Sequence, residues 1–354
     1  MSRRVAVIEG EDAAPEAMRP TLDLLARLSL DIDWVWPQVG DAGLAAHGSL
    51  FPDEARRVID EADATLFGST SGKSAPALMY LRWGKQTYAN VRPARWMPGC
   101  KSPLADPRGV DLVVVRENLE DLYLGIEGDA SDLDSLDLQS RTARRPLREM
   151  GPGKYALKLI TEAGSERVIR FAFELARKRK ASGRPGHLTC SSKYNMLPLS
   201  DGLFRRTAER LAPEYPDIDL DVYIVDDFAQ RMVTSTQALD VIVLPNLYGD
   251  ILSDLAGGIV GGLGLAPSGC YGADYAYFES AHGTAPDIAG RNIINPTATI
   301  LSAAMMLDYL GFSEESARIE SAVERVYAEG KQLTPDQGGT SHTTEFCAAV
   351  GDRL

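Results

Sequence analysis

The chain has 354 residues, of which 44% are hydrophobic, and a formal net charge of −13. This length and apolar content suffice for a large core in one large domain or in two domains. The acidic balance argues against binding to nucleic acid or to an anionic membrane surface, so an anionic substrate would need a local basic pocket.

The four cysteines are widely separated, and no pair has the spacing of a zinc or redox site. We expect buried free thiols in a reducing cytosol, and therefore a cytoplasmic protein. The first apolar run is too short for a signal peptide, and no run approaches the ~18–20 apolar residues of a membrane span. The cysteines are Cys100, Cys190, Cys270 and Cys347.

Strand-like and helix-like segments alternate along the chain, which predicts an α/β fold. The predicted strands are 5–8, 30–36, 64–67, 110–115, 187–190, 220–225 and 241–244. The predicted helices are 15–28, 54–61, 165–180, 203–211, 296–310 and 314–329. The segment 127–150 has neither pattern and changes from acidic to basic. A loop of this length is typically functional, disordered, or an arm that reaches a partner.

Asp250 and Asp254 lie four residues apart, just after the apolar run 241–244. A helix that starts near Gly249 would place both carboxylates on one face, about 5–6 Å apart. Oxygen ligands in this arrangement suit a divalent cation, and ligands of open α/β sheets bind beyond the carboxyl ends of strands. Taken alone, such a pair is also typical of a solvated helix face.

Four motifs resemble those of the metal-dependent β-decarboxylating dehydrogenases, the family of the isocitrate, homoisocitrate and 3-isopropylmalate dehydrogenases. The resemblance covers nearly the whole chain, with the motifs in the order of the family. They are Ala89-Asn90-Val91-Arg92-Pro93, residues 115–123 (VRENLEDLY), residues 246–254 (NLYGDILSD), and residues 279–290 (ESAHGTAPDIAG) with Asn295-Pro296.

The resemblance implies the isopropylmalate dehydrogenase-like fold, with two α/β domains, a cleft between them, and no G-x-G-x-x-G fingerprint. Residues 1–91 and 260–354 would form the cofactor domain. Residues 92–259 would form the substrate, metal and dimerisation domain, with an arm at 127–155. We also expect a homodimer whose cleft closes on substrate.

The implied reaction is the NAD-dependent oxidative decarboxylation of a 3-substituted malate, a small anionic hydroxy acid, to a 2-oxo acid and CO₂. A Mg²⁺ or Mn²⁺ ion would stabilise the enolate. Asp250 and Asp254 correspond to two metal carboxylates, and Asp226 corresponds to the third, which the other subunit supplies. An aspartate after a strand is also typical of a helix N-cap.

The resemblance also assigns the residues that act on the substrate. Arg82, Arg92 and Arg116 correspond to the clamp for its carboxylates, a task that suits the planar fork of arginine. Lys193, also from the other subunit, corresponds to the lysine that assists proton removal from the C2 hydroxyl, and Tyr123 to the acid that protonates the enol carbon. Outside these motifs, such side chains are usually surface ion pairs, solvated lysines or packing tyrosines.

Asp287 corresponds to the residue that receives the adenosine ribose hydroxyls in NAD-using members, where NADP-using members carry a lysine. A carboxylate there would repel a 2′-phosphate, which indicates NAD. The other implied cofactor residues are Gly264, Glu279, His282, Gly283, Thr284, Ala285, Ile288 and Asn295.

The substrate loop departs from the isocitrate pattern. Leu78 and Met79 resemble the apolar pair of isopropylmalate enzymes, whereas residues 115–128 and 278–290 look more like the isocitrate and homoisocitrate side. We expect an apolar or unusual C3 substituent, because a charged carboxylate buried beside this pair without a partner would be costly. Isocitrate or homoisocitrate is the alternative, with Lys73 as a partner for the distal anion.

The first turn, residues 10–16, reads Gly-Glu-Asp-Ala-Ala-Pro-Glu instead of the usual Gly-Asp-Gly-Ile-Gly-Pro-Glu. The loss of two glycines restricts the backbone beside the cofactor. This change favours a second class of function, a non-catalytic regulatory paralogue. The retained aspartates, arginines, Lys193 and Tyr123 argue against that class. A phosphotransfer protein that uses Asp250 has no support from a Gly-rich phosphate loop.

Overall fold

The computed structural model describes residues 2–354. Its strands are β1 (Arg3–Ile8), β2 (Ile32–Val35), β3 (Ala64–Phe67), β4 (Ala89–Arg95), β5 (Asp111–Glu117), β6 (Glu127–Asp129), β7 (Gln139–Ser140), β8 (Arg145–Pro146), β9 (Lys154–Ala156), β10 (His187–Ser192), β11 (Asp219–Ile224), β12 (Val241–Leu244), β13 (Pro267–Tyr271) and β14 (Ala276–Ser280). Its α-helices are α1 (Ala14–Ala26), α2 (Gly40–His47), α3 (Asp53–Asp60), α4 (Ala75–Met79), α5 (Glu162–Ala181), α6 (Ser200–Leu211), α7 (Val225–Thr234), α8 (Asn246–Val260), α9 (Thr297–Leu310), α10 (Ser313–Glu329) and α11 (Thr343–Gly351).

Ten strands form one sheet in the order β11-β10-β12-β5-β4-β13-β14-β3-β1-β2. Strands β2, β1, β3 and β14 are mutually parallel, and so are β5, β12, β10 and β11. The three antiparallel pairings β14–β13, β13–β4 and β4–β5 join these groups. The sheet therefore consists of two parallel blocks that run in opposite directions. We call β1, β2, β3 and β14 the terminal block, and β5, β10, β11 and β12 the middle block.

Helices cover both faces of the sheet, as an α/β fold requires. In the terminal block, α1, α9, α10 and α11 share a core with the strands that includes Val5, Phe278 and Phe346. In the middle block, α5 and α6 cover one face, where Phe173 packs, and α7 and α8 cover the other, where Leu252 packs. The predicted α/β fold class is confirmed.

All strands and helices predicted from the sequence are present, but several boundaries differ. Helix α8 begins at Asn246 rather than near Gly249, because Pro245 is extended and its carbonyl oxygen accepts the Gly249 N–H at 2.8 Å. Elements that the sequence did not predict include β4, β13, β14, α2 and α4. The segment 127–155 forms two small antiparallel pairs, β6–β9 and β7–β8.

The sheet runs through both predicted domains, and β4 spans the boundary expected between residues 91 and 92. The division into two domains stays a prediction. Within residues 2–354, no helix is both long enough and apolar enough to cross a membrane.

Helix α8 lies directly against β5 at Gly249. A Cβ atom on Gly249 would lie 2.7 Å from both Cβ and Cγ of Arg116, so a larger residue would force the helix away from the strand. Gly258, on the same helix, has no atom within 4 Å of such a Cβ. Glycine at position 249 therefore permits the close approach of α8 to β5.

We expect Gly249→Ala to lower the free energy of unfolding by about 1–3 kcal/mol, because the added methyl group overpacks the α8–β5 contact. The matched control Gly258→Ala should raise it by up to ~1 kcal/mol through helix propensity alone. Urea denaturation at equal protein concentrations measures both values. Equal stabilities of the two variants would contradict the close contact.

Candidate active site

Residues from separate sequence segments meet on one face of the sheet. Arg116, near the end of β5, lies opposite Asn90 of β4 and Leu244 of β12. Because β12 leads into α8, the helix lies over the end of β5 and presents Asp250 to Arg116. The two predicted metal carboxylates thus lie beyond the carboxyl ends of two parallel strands, where α/β sheets usually bind their ligands.

The Asp250 carboxylate lies at the centre of this cluster. It accepts hydrogen bonds from the Arg116 guanidinium and, at 2.5 Å, from the Tyr123 hydroxyl. Nη1 of Arg92 lies 3.6 Å from Asp250 and 3.1 Å from Asp254. Both aspartates therefore occupy one face of α8 and share an arginine, as the four-residue spacing predicts.

Burial and charge set the protonation states in this cluster. Burial lowers the pKa of Arg116, and repulsion by Arg92 lowers it further. Burial alone would raise the pKa of Asp250, but Arg116 and the Tyr123 hydrogen bond outweigh it, so the pKa falls. Burial, together with the bond to Asp250, raises the pKa of Tyr123. At neutral pH, Asp250 is therefore ionised and Tyr123 holds its proton.

Asp254 has a different environment. Burial raises its pKa, and the nearby Arg92 only partly offsets this effect. Asp250 and Asp254 both remain partly exposed and present the hard carboxylate oxygens that Mg²⁺ and Mn²⁺ prefer. The donor set therefore fits a divalent ion of the kind that the family resemblance implies.

Arg82 lies on a π-helical turn, Tyr80–Gly84, that directly continues α4. Turns of this kind often occur at functional sites. Its Nε donates to the Tyr277 hydroxyl at 3.0 Å, and its Nη2 lies 3.5 Å from Glu279. The structure therefore joins a predicted substrate residue to a predicted cofactor residue.

The predicted apolar pair faces two ways. Leu78 is 8% exposed and packs in the core of the terminal block, whereas Met79 is 43% exposed. Lys73 forms an exposed ion pair with Asp41, and this hydrogen bond raises the pKa of Lys73. Of the apolar pair, only Met79 is exposed to solvent.

Lys193 and Asp226 form a separate pair. Nζ of Lys193 lies 2.5 Å from Oδ1 of Asp226, which is largely exposed. Helix α7 begins at Val225, so Asp226 lies in its first turn, and the N-cap alternative is wrong.

Among residues 2–354, no three acidic, histidine or cysteine side chains lie close enough together to hold a metal ion. Asp226 therefore does not join Asp250 and Asp254 within one chain.

The predicted cofactor segment begins in β14 and continues beyond its end. Gly264 approaches it closely, since a Cβ there would lie 3.0 Å from Cβ of Asn295. Nδ2 of Asn295 donates to Oδ2 of Asp336 at 2.9 Å, and the Thr284 carbonyl accepts the Ala13 N–H at 3.1 Å. These contacts connect Gly264 with Asn295, and the segment with the first turn at Ala13. The segment includes buried Glu279 and Thr284, Gly283, Ala285 in a left-handed conformation, exposed Asp287, and Ile288, which packs beside Ala13.

His282 has one free ring nitrogen. Its Nδ1 lies 2.8 Å from the Gly283 carbonyl oxygen, which can only accept, so Nδ1 carries the proton. Nε2 is buried without a hydrogen-bond partner among residues 2–354. Burial lowers the pKa of His282, so the neutral ring presents a hydrogen-bond acceptor.

The altered first turn retains many contacts. The Glu11 carboxylate accepts hydrogen bonds from the Thr70 hydroxyl at 2.7 Å and from the Ser71 and Ser74 N–H groups at 2.7 and 2.9 Å. Burial alone would raise the pKa of Glu11, but these hydrogen bonds lower it. Glu16 accepts the Gly290 and Asn292 N–H groups. The turn thus connects the loop before α4 to the cofactor segment.

Sequence reasoning missed several residues of the site. Oδ1 of Asn246 accepts a hydrogen bond from Nε of Arg116 at 2.8 Å. The Ser253 hydroxyl accepts one from Nη1 of Arg92 at 2.8 Å. Both residues lie within one helical turn of Asp250, so the helical period could have found them. Asp336, which binds Asn295, gives no comparable signal in the sequence.

The comparisons with known proteins find relatives over nearly the whole chain. The family model described as isocitrate/isopropylmalate dehydrogenase matches residues 4–353. A 3-isopropylmalate/3-methylmalate dehydrogenase of Methanocaldococcus jannaschii is 41% identical over 99% of this chain and 98% of its own. An isocitrate/homoisocitrate dehydrogenase of Thermus thermophilus is 41% identical over 100% of this chain and 99% of its own. The crystal structure of isocitrate dehydrogenase from Methylococcus capsulatus superposes with a TM-score of 0.86, at 35% identity and 99% coverage of both chains.

We expect His282 to make stability pH-dependent. Because the folded state holds its pKa below the ordinary value of 6.5, protonation favours unfolding. The contribution of the neutral ring is complete above about pH 6.5 and falls as the pH drops below it. Urea denaturation between pH 7 and pH 5 should therefore show a steeper loss of stability in the wild type than in His282→Gln. Identical slopes would show that burial does not perturb the ring.

Proposed function

Because the chain belongs to the isocitrate/isopropylmalate dehydrogenase family and is therefore a dehydrogenase that decarboxylates hydroxy acids, we propose that it oxidises a 3-substituted malate with NAD. The proposed products are a 2-oxo acid, CO₂ and NADH, and the proposed metal is Mg²⁺ or Mn²⁺. The observation that carries this proposal is the cluster of Arg92, Arg116, Tyr123, Asp250 and Asp254 on one face of the sheet.

Arginines hold the substrate in this proposal. Arg92 and Arg116 are buried, and Nε of Arg92 has no hydrogen-bond partner among residues 2–354. A buried guanidinium with an unused donor gains a charge-assisted hydrogen bond when a carboxylate binds. Arg82 lies close enough for its charge to influence both Arg116 and Asp250.

Tyr123 is the proposed proton donor. A nicotinamide would supply the hydride acceptor, and a metal ion held by Asp250 and Asp254 would supply Lewis-acid stabilisation of the negative charge that develops on decarboxylation. Tyr123 holds its proton until the bond between C3 and the carboxylate breaks, because burial and Asp250 raise its pKa. It then protonates C3. Lys193 assists the earlier removal of the C2 hydroxyl proton.

We propose an apolar or unusual substituent at C3. Met79 is exposed beside the turn that carries Arg82, Leu78 is buried in the core, and Lys73 is paired with Asp41. A distal carboxylate beside Met79 would lose hydration without gaining a partner from this loop. The name of the Methanocaldococcus relative, which includes 3-isopropylmalate and 3-methylmalate, supports this choice.

Isocitrate or homoisocitrate is the second candidate, and the name of the Thermus relative favours it. The third, a non-catalytic regulatory subunit, rests on the altered first turn. That turn connects the substrate loop to the cofactor segment through Glu11 and Glu16, so an ordered cofactor site does not need the missing glycines.

For the cofactor we propose NAD rather than NADP. Asp287 is exposed on the cofactor segment, where its carboxylate would repel a 2′-phosphate. Nε2 of His282 offers a neutral acceptor for a cofactor hydroxyl. For the location we propose the cytoplasm, because all four cysteines are buried and free.

We expect NADH formation from 3-isopropylmalate or 3-methylmalate with Mg²⁺ or Mn²⁺. Isocitrate, homoisocitrate, malate and tartrate should give lower kcat/KM, and NADP should replace NAD poorly. Absorbance at the NADH wavelength measures each rate, and a chelator should abolish it. A higher kcat/KM for isocitrate would refute the apolar substituent, and no turnover of any of these acids would favour a regulatory subunit.

We further propose that two copies share each active site. Lys193 and Asp226 lie apart from the Asp250 cluster, on elements with exposed apolar side chains that a second copy could cover. These apolar side chains are Met196, Leu197, Leu199 and Val233. On α8, beside Asp250, Ile251 is also exposed. A homodimer would bring Asp226 and Lys193 of one copy to Asp250 and Asp254 of the other.

Asp226→Asn and Asp250→Asn chains should each be inactive alone. When refolded together, they should regain activity, because a mixed dimer contains one intact site. At equal amounts, half of the dimers are mixed, so about a quarter of the wild-type activity should return. Size-exclusion chromatography confirms dimer formation. Well-formed mixed dimers without activity would refute the shared site.

A further inference from the structure

Lys158 lies in a largely buried charged cluster that neither the substrate clamp nor the cofactor segment uses. Its Nζ lies 2.7 Å from Oδ1 of Asp201 and 3.3 Å from Oδ1 of Asp121. Both carboxylates are fully buried, and Nζ also lies 4.5 Å from the centroid of the Tyr248 ring. We call Asp121, Lys158 and Asp201 the Lys158 triad.

Asp121 connects the triad to the Asp250 cluster. Its Oδ1 accepts the Leu122 N–H at 2.9 Å, next to Tyr123, and its Oδ2 accepts the Leu247 N–H at 3.0 Å, in the first turn of α8. One carboxylate therefore fixes the turn that carries Tyr123 and the helix that carries Asp250.

The backbone of Asp121 is strained. Its φ of 69° and ψ of −146° lie in a region that only glycine adopts readily. Such a conformation persists only when the surrounding contacts impose it. The ion pair and the two hydrogen bonds of Asp121 supply such contacts. They hold the backbone of Asp121 in this unfavourable conformation.

Asp201 connects the triad to Lys193. Its Oδ2 accepts the Lys193 N–H at 2.8 Å, at the turn between β10 and α6. Burial alone would lower the pKa of Lys158, but the carboxylates of Asp201 and Asp121 outweigh it and raise the pKa. Lys158 is therefore a cation that joins two buried anions, each of which holds a different catalytic element.

We propose that Lys158 is a positioning residue that fixes two catalytic elements of one chain relative to each other, the Tyr123–α8 element and the Lys193 turn. The inference rests on the proposed function, because that function makes Tyr123 and Lys193 catalytic. If active sites are shared, these two elements serve different sites of the dimer. Lys158 then aligns both sites through one buried contact.

Lys158 can fix both elements because breaking a buried ion pair costs more free energy than the intact pair contributes to stability. Removing the cation leaves two buried carboxylates uncompensated, a strongly unfavourable state that is relieved when water enters or the segments separate. Either response loosens the N–H groups of Leu247 and Lys193, which these carboxylates hold. A shift of about 1 Å in a catalytic group can cost about 100-fold in rate.

The first test is hydrogen–deuterium exchange of the purified protein without substrate or metal. In Lys158→Met, peptides that cover 191–197 and 245–250 should both exchange about tenfold faster than in the wild type. Lys158→Arg, which keeps the charge, should restore slow exchange. If Lys158→Met does not fold, Lys158→Gln, which also removes the charge, provides the same measurement.

Lys85 offers a matched control. Its side chain is 17% exposed against 14% for Lys158, it pairs with Asp60 at 2.6 Å, and its Nζ lies 4.6 Å from the Tyr275 ring centroid. Lys85→Met should leave exchange in 191–197 and 245–250 unchanged. Faster exchange in only one of these peptides after Lys158→Met, or in both after Lys85→Met, would overturn the proposal.

The kinetic test uses the substrate with the highest kcat/KM. Lys158→Met should lower kcat by about 100-fold with little change in KM, because the arginine clamp is not part of the triad. Lys158→Arg should recover most of kcat. Loss of affinity with unchanged kcat, or wild-type kinetics in Lys158→Met, would overturn the proposal.

Mixed dimers separate this inference from the shared-site proposal. A Lys158→Met chain should fail to restore activity with either an Asp250→Asn or a Lys193→Met chain. In the Lys158→Met chain, both the Tyr123–α8 element and the Lys193 turn are misplaced. The reference pair, Asp250→Asn with Lys193→Met, should recover one intact site. Recovery of Lys158→Met with either partner overturns the inference. If the reference pair stays inactive, site sharing fails, and the exchange experiment still decides the role of Lys158.

Discussion

The structure of the site depends on the ion pair between Arg116 and Asp250. Arg116 is almost wholly buried and lies close to a second arginine, Arg92, so burial and repulsion both disfavour its charge. Leaving such a guanidinium uncompensated would cost several kcal/mol. Asp250 provides the compensation and ties α8 to β5, where Gly249 permits the close approach. The same aspartate fixes Tyr123 and places Asp254 beside Arg92. One ion pair thus influences the relative positions of Arg92, Tyr123 and the two carboxylates.

Much of the fold follows from local patterns, and the exceptions have physical causes. The apolar run of β12 and the long amphipathic helix α5 are predicted well, because burial imposes their periodicity. The strands at the junction of the blocks, β4, β13 and β14, were missed. Two of them contain residues that are unfavourable in strands, Pro93 in β4 and Pro267 and Gly269 in β13. Their pairing depends on distant segments rather than on local preference.

The motifs were sufficient to identify the candidate site residues. They could not predict which side chains these residues contact. Spacing alone placed Asp250 and Asp254 on one face, and their contacts with Arg92 agree with that. The orientation of Leu78 into the core follows from its place on a helix that continues into a π-helical turn, which no motif encodes. The Lys158 triad joins segments far apart in sequence and has no periodic signature. Its contacts with the Tyr123 turn and the Lys193 turn are visible only in three dimensions.

The pairing of β3 with β14 has a consequence for synthesis on the ribosome. The core of the terminal block combines Val5 and Met18 with Phe346. The first strands therefore cannot complete their packing until nearly the whole chain has been synthesised. The strands of the middle block pair with one another and can fold sooner. Contacts of such long sequence separation form slowly. During that interval the free edge of β3 can pair with a neighbouring nascent chain. The order of translation thus exposes the N-terminal strands to misassembly until residue 276 and those after it emerge.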